Sequence, residues 1–285
     1  MLKVLGHGPS LSTGAGFEGA CVTPDSPSWS VLWSRGSGDV PGGDTAPPVE
    51  DALRPFRFPR IAKLLGKTIA LSYRLTGKDR YDDFRVERVH GAPFVVMPSV
   101  FNPKVPRAGE FLAAQLDSRL LGPEAEVLDM GTGSGVCAVI AARHARRVVA
   151  VDINPEAVRC AGVNALLNHL EHKVEVRHGD LFAPVLAERF DVIVFNPPFL
   201  VGTPQSDRDR AWRSNDVAER FAAGLSAHLK PGGLALMVLS TFGDAPVFLE
   251  EFRKRDIAVR VLARRRFVNE TLAVFRIEPS PQRHS

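Results

Sequence analysis

Cysteine is scarce in this 285-residue chain: only Cys21, Cys137 and Cys160 occur, an odd number at wide spacing. That speaks against a disulfide framework and a cysteine-based zinc site, and points to a reducing, cytoplasmic compartment. Long apolar runs are lacking as well, so no membrane-spanning helix is expected. No cationic start leads into an apolar stretch, and Glu18 and Asp25 do not suit an acid-poor transit peptide, so no targeting signal is expected. Internal repeats are absent. His169 and His172 have neither the spacing nor the carboxylate company of metal ligands, and no metal is expected.

What is present is ordinary globular material, 45% hydrophobic and 24% charged, with a formal net charge of +4. The charge is uneven. Residues 1–50 hold two basic and five acidic side chains, which leaves a surplus of seven positive charges on the rest. Such a body suits either an RNA-associated partner or a plain solvated surface. Residues 1–51 also concentrate glycine, proline and serine without apolar periodicity, the composition of a flexible tail. Residues 52–107 suggest a small appendage, helical through Ile61, Leu64, Leu65, Ile69 and Leu71 and then strand-like at Phe94–Met97.

From residue 108 to residue 279 the pattern becomes regular. A helix is expected over Gly109–Leu121, and strands at Glu126–Asp129, Val148–Asp152, Val174–Arg177 and Asp191–Phe195 alternate with helices beginning at Gly135 and Pro155. A helix over Val217–Leu229, a strand at Leu234–Leu239, a helix over Ala245–Arg255 and strands at Ala258–Ala263 and Thr271–Ile277 follow, with a short tail at 280–285. Alternation of this kind predicts an α/β fold with a mostly parallel seven-stranded sheet covered by helices on both faces.

The first of these strands runs into Asp129-Met130-Gly131-Thr132-Gly133-Ser134-Gly135. Glycines there permit a tight strand-to-helix turn and let backbone N–H groups approach a ligand at the positive end of a helix. Asp152 ends the next strand, 23 residues later, where one carboxylate can accept hydrogen bonds from two ribose hydroxyls. Up to this point a dinucleotide-dependent dehydrogenase is also open, although Val136 stands where the G-x-G-x-x-G fingerprint places its last glycine.

The spacing Asp129-x-Gly131-x-Gly133-x-Gly135 resembles motif I of class I S-adenosylmethionine-dependent methyltransferases, which have a Rossmann-like fold. The resemblance implies S-adenosylmethionine as cofactor, held by Asp129, Gly131, Thr132, Gly133 and Gly135. It makes Asp152, with its neighbour Ile153, the ribose site. It also implies an adenine site at Asp180 and Leu181, which follow Gly179 after the third strand.

The fourth strand ends in Asn196-Pro197-Pro198-Phe199. Two prolines fix φ twice and remove two donors, so this segment is a rigid loop, placed where open parallel sheets bind ligands. The Asn196 side-chain oxygen and the Pro197 carbonyl are two acceptors suited to the two N–H groups of a planar nitrogen, and Phe199 is suited to stack on the planar group. Holding such a nitrogen favours its pyramidalisation as a bond to carbon forms. Joined to the cofactor half, the tetrapeptide resembles the N-P-P-[FY] amino-methyltransferases, in particular HemK-like and small-domain N-methyltransferases. Asn196, Pro197, Pro198 and Phe199 are the implied catalytic residues, with Asn196 also beside the cofactor.

The family's substrates are the glutamine side chain of release factors, guanine amines of ribosomal RNA and the adenine amine of DNA. Phe101-Asn102-Pro103, Glu110 and the closing Arg265–Phe275 segment resemble the HemK-like glutamine enzymes, which makes a protein glutamine the expected target. Ribosomal RNA guanine is the alternative, with Arg264, Arg265 and Arg266 as candidate phosphate contacts. A non-catalytic binding module on the same fold is the second alternative.

Overall fold

The computed structural model describes residues 49–53, 83–100, 102, 107–198, 200–202, 213–267 and 270–279. Most of the expected N-terminal tail, the helical reading over 54–82, the tail at 280–285 and Phe199 lie outside these residues. The first described element is the short helix α1 (Val49–Ala52), so the tail boundary expected at residue 51 falls inside a helix. Its Ala52 is buried in the same cluster as Leu128 and Phe275.

Seven strands form the central sheet: β3 (Glu126–Met130), β4 (Arg147–Asp152), β5 (Val174–His178), β6 (Phe190–Phe195), β9 (Leu229–Ser240), β10 (Ile257–Arg266) and β11 (Thr271–Pro279). Their order is β5-β4-β3-β6-β9-β11-β10. The first five are parallel, and β11 is antiparallel to both β9 and β10. β3 (EVLDM) is buried along almost its whole length, as a parallel strand covered on both faces must be.

One face packs against α2 (Ala108–Ala113), α3 (Val136–Ala142) and α4 (Pro155–Leu167). The other packs against α1, α5 (Val217–His228) and α6 (Ala245–Arg253). Every residue of α3 is buried, and its three alanines let the helix nest between neighbours. α4 begins with Asn154 accepting from the Glu156 N–H and with Pro155 in the first turn, a strong helix start. Among the described residues no helix is long and apolar enough to cross a membrane.

The antiparallel hairpin β1 (Arg85–Val89) and β2 (Ala92–Val96) belongs to the described part of the expected appendage. It is packed into the main core: Val89, Ala92 and Phe94 share a buried cluster with α2 and α3. A helix side chain completes the edge of β2. Fully buried Asn164 accepts from the Val95 N–H at 2.7 Å, and its Nδ2 donates to the Val95 carbonyl at 2.7 Å and the Ser134 carbonyl at 2.8 Å. Asn164 thus imitates a neighbouring strand and joins the hairpin to the glycine-rich turn.

On the other face an aromatic stack joins the site to α5. Phe195, the last residue of β6, lies 4.7 Å from Phe221, which lies 5.7 Å from Phe182, and Phe182 stacks on His228 at 4.2 Å. Gly224 makes room for the stack, because a Cβ there would stand 2.5 Å from the Phe182 ring. Helix propensity alone favours alanine over glycine by about 1 kcal/mol. Gly224→Ala is nonetheless expected to destabilise the fold by about 1–2 kcal/mol, because overpacking wins. The midpoint of urea denaturation measures this, and an unchanged or higher midpoint would show the stack to be loose.

One helix end, one strand start and a short two-stranded pair differ from expectation. α2 stops at Ala113 and gives way to turns, well short of Leu121. β9 begins at Leu229, through Lys230-Pro231-Gly232-Gly233, where a register shift against β6 absorbs the proline. The parallel pair β7 (Leu200–Val201) and β8 (Arg213–Ser214) flanks the segment between β6 and α5.

Candidate active site at the carboxyl edge of the sheet

The strand order reverses between β4 and β6 on either side of β3, which opens a crevice at the carboxyl ends of β3 and β6. Met130 pairs with Phe195, so the two chains leave the sheet at the same level and Gly131 and Asn196 start their loops side by side. The glycine-rich turn and the Asn-Pro-Pro loop are thereby brought together across one crevice.

Gly131, Gly133 and Gly135 all have left-handed φ, at 63°, 57° and 79°. At Gly135 a Cβ would also come within 2.9 Å of the Ala161 backbone, so α3 and α4 approach through this residue. The turn is tied down from below. Buried Asp129 accepts from the Thr132 hydroxyl at 2.6 Å and from the Ala138 N–H at 2.9 Å, both through Oδ2. The Thr132 N–H donates to the Val151 carbonyl of β4 at 3.0 Å. The named partners of Asp129 therefore lie within the turn and the first turn of α3.

Burial pushes the Asp129 carboxyl up to about 7, with repulsion from Asp152 added and the Thr132 and Ala138 bonds opposing. The folded chain therefore keeps a proton that the unfolded chain sheds near its ordinary value of 3.8. This contribution is complete below the unfolded value and is lost as pH rises through about 7. Asp129→Asn keeps an acceptor for both donors and has no charge to bury. The melting temperature of the wild type is expected to fall between about pH 5 and pH 8 by several degrees more than that of Asp129→Asn. Parallel slopes for the two proteins would contradict the buried-carboxyl account.

At the end of β4, Asp152 turns back toward the glycine loop. Its Oδ2 accepts from the Gly133 N–H at 2.8 Å and its Oδ1 from the Asn154 N–H at 2.9 Å. Burial raises its pKa above the usual carboxylate range, opposed by hydrogen bonds from the Asn154, Gly133 and Ile153 amides and by His178. Each carboxylate oxygen has lone pairs beyond those used, so two hydroxyl donors can still be accommodated. Half-buried Ile153 follows, with His178 donating through Nε2 to its carbonyl at 3.0 Å in the Nε2–H tautomer.

One strand further, the Gly179 N–H donates to the Asp152 carbonyl at 2.9 Å, which sets the turn leading to Asp180. Leu181 adopts a left-handed φ of 48° and is half-buried. Asp180 carries an ion pair that sequence spacing did not signal: Arg220 Nη2 donates to its Oδ2 at 2.7 Å from α5, 40 residues away.

On the opposite side of the crevice, Pro197 is buried and Asn196 and Pro198 are half-buried. The side-chain oxygen of Asn196 is itself buried and has no hydrogen-bond partner among the described residues. An orphaned buried acceptor costs about 1–3 kcal/mol, so it marks a place where a donor is missing. The Gly133 and Gly135 amides are used inside the turn, on the Asp152 carboxylate and the Thr132 carbonyl, so the glycines offer a ligand close approach of the backbone and not free donors. That bare turn, a carboxylate with spare acceptor capacity and an orphaned acceptor together fit an adenosyl sulfonium cofactor and a nitrogen beside it.

Beyond the loop, β9 ends at Ser240, whose hydroxyl donates to buried Glu270 at 2.5 Å and accepts from the Phe242 N–H at 3.0 Å. Burial raises the pKa of Glu270, opposed by Ser240 and Arg107. Arg107 and Arg265 both lie over the Phe267 ring, at 5.0 and 5.6 Å. Arg265 and Arg266 are exposed at this same edge. No separate signal in the sequence singles out Glu270 or Arg107, because their placement depends on the closing hairpin and the start of α2.

Residues 92–265 match the family model for the methyltransferase small domain. The chain is 36% identical over 189 residues to a release factor glutamine methyltransferase of Koribacter versatilis, covering 55% of this chain and 66% of that protein. It is 31% identical over 159 residues to a putative protein N5-glutamine methyltransferase of Methanocaldococcus jannaschii, covering 52% of this chain and 79% of that one. Among solved structures, it resembles the Thermus thermophilus 16S rRNA N2 G1207 methyltransferase in complex with AdoMet and guanosine, with 27% identity and a TM-score of 0.53. That likeness covers 70% of this chain and 50% of the Thermus chain. The chain spans 66% of the length of the Koribacter relative. The matched region contains the glycine-rich turn, Asp152 and the Asn-Pro-Pro loop, and the sheet order is that of the fold they imply: the chain belongs to the methyltransferase small domain family.

Proposed function

We propose that this protein is an S-adenosylmethionine-dependent N-methyltransferase that modifies a planar amide nitrogen, the glutamine side chain of a protein such as a peptide-release factor. The observation that carries the reading is the buried oxygen of Asn196, unpartnered among the described residues, on the loop that starts beside the glycine-rich turn. The bound cofactor supplies an electrophilic methyl group on a sulfonium.

The chain's residues do the positioning. Gly131, Thr132, Gly133 and Gly135 form the turn against which the cofactor packs, Asp152 with Ile153 takes its ribose, and Asp180 with Leu181 closes its adenine end. Asn196 and the Pro197 carbonyl accept the two N–H groups of the substrate amide and direct its nitrogen toward the methyl carbon. A planar amide nitrogen is a weak nucleophile because its lone pair is delocalised, and these acceptors gain strength as the nitrogen becomes pyramidal and its hydrogens more acidic. Two prolines keep the acceptors fixed, and orientation of this kind supplies up to about 7–11 kcal/mol of the barrier. Phe199 is the proposed stacking partner of the amide.

The glutamine assignment is supported by the named functions of the Koribacter and Methanocaldococcus relatives. A ribosomal RNA guanine is the second reading, favoured by the likeness to the Thermus enzyme and by the exposed arginines Arg265 and Arg266 at the same edge. The scarcity of cysteine supports a cytoplasmic setting for this work. Incubating the protein and methyl-labelled S-adenosylmethionine with an extract of cells lacking it, followed by separate protease and ribonuclease digestion, distinguishes the two. Label released by protease and retained through ribonuclease is expected. Label released only by ribonuclease would overturn the glutamine assignment in favour of RNA.

A further inference from the structure

The Asp180 side chain is about two-fifths exposed, where a carboxylate would ordinarily rotate freely. Here one of its oxygens is taken. Arg220 Nη2 donates to Oδ2 at 2.7 Å, and Arg220 Nη1 stands 3.7 Å from Asp216 at the start of the same helix. The other oxygen, Oδ1, has no hydrogen bond among the described residues, so the pairing leaves one acceptor open in a fixed direction.

The two partners do not move independently. Arg220 lies in the first turn of α5, with its N–H donating to the Asp216 carbonyl at 3.0 Å. The next residue, Phe221, is fully buried and stacks on Phe182, which follows Leu181 in the Asp180 turn. The Asp180 carbonyl accepts from the Ala183 N–H at 3.0 Å, which closes that turn. The aromatic contact therefore locks the backbone under both ends of the ion pair. An exposed ion pair contributes little to folding. Its effect on the direction of a carboxylate is larger than its effect on stability.

We infer that Arg220 is a positioning residue for the purine end of the cofactor: by holding one oxygen of Asp180 it aims the other at the exocyclic amine, and so makes the site selective for adenine over a purine lacking that amine. The inference rests on the proposed reading of the crevice as an S-adenosylmethionine site. Arg220 touches no cofactor atom in this account and acts only through Asp180. A merely structural ion pair would weaken binding of every ligand alike, or none.

Calorimetric titration of the full chain with S-adenosylhomocysteine and with its analogue carrying hydrogen in place of the amine separates these cases. The wild type is expected to bind the amine-bearing ligand more tightly, and Asp180→Ala to lose that preference. Arg220→Ala is expected to weaken S-adenosylhomocysteine about three- to fivefold, the scale of one exposed ion pair, and to leave the analogue unchanged. Arg220→Lys should restore part of the loss. If Arg220→Ala changes both ligands equally or neither, while Asp180→Ala abolishes the preference, the role of Arg220 is overturned and the adenine site stands. If Asp180→Ala keeps the preference, both assignments at this end fall, and if the wild type binds neither ligand, the cofactor reading falls with them.

Discussion

Asn196→Ala is expected to lower the rate of methyl transfer by about 10²–10³-fold, the cost of removing one preorganised electrostatic group from a reaction centre. S-adenosylmethionine binding is expected to stay within about twofold of wild type, less than 0.5 kcal/mol. The reasoning runs through one atom. The Asn196 oxygen is buried without a partner among the described residues, so the fold bears its desolvation cost in the absence of substrate and recovers it only when an N–H arrives. Removing it takes away a bond that strengthens as the nitrogen becomes pyramidal, so kcat should fall more than KM rises. Asn196→Asp adds a test of sign. A charged carboxylate at this buried position carries a desolvation cost that the neutral amide does not, so it is expected to impair turnover although it still accepts hydrogen bonds. Single-turnover measurement with saturating cofactor reads the chemical step directly, and an unchanged rate for Asn196→Ala would remove the loop from the mechanism.

Asp152→Ala is expected to weaken S-adenosylmethionine by about 100-fold or more, because two charge-assisted hydrogen bonds to ribose hydroxyls are lost at about 1.5–3 kcal/mol each. Part of the effect passes through the turn, since Asp152 also accepts from the Gly133 and Asn154 amides. Asp152→Asn separates the two contributions. It keeps one acceptor oxygen and loses the charge, so an intermediate affinity is expected. Calorimetry beside thermal denaturation decides between them. If Asp152→Ala and Asp152→Asn are equally folded and bind as tightly as wild type, the ribose assignment is wrong.

Much of this site was legible from local pattern. β3, β4 and β6 are short apolar strands with glycine, acid and proline breaks at their ends, and such signals require no knowledge of distant residues. The three glycines predicted a tight turn, and all three adopt the left-handed conformation that an L side chain resists. The pairing of the Asn-Pro-Pro loop with that turn followed from the parallel topology, and the register of Met130 with Phe195 places them at one level.

What escaped notice depends on contacts between segments far apart in the chain. Asn164 lies in the middle of α4 and looks like an ordinary polar helix residue, yet it completes β2 from 69 residues away. The strand β9 starts inside Lys230-Pro231-Gly232-Gly233, residues that signal a turn, because a register shift against β6 tolerates the proline. Arg220 and Asp180 are 40 residues apart, and neither carries a motif that names the other. Asp129 shows a subtler gap. Its spacing to the glycines marks it as part of the cofactor turn, but its carboxyl is taken up by Thr132 and Ala138 once the chain has folded.

The most direct test of the account is the identity of the atom that receives the methyl group. Purified full-length protein is incubated with deuterium-labelled S-adenosylmethionine and a purified release factor, the product is digested, and the labelled residue is located by tandem mass spectrometry. The account predicts label on the side-chain nitrogen of a glutamine, abolished by Asn196→Ala. Label on an oxygen, carbon or sulfur atom, at the same level with and without Asn196, would contradict it.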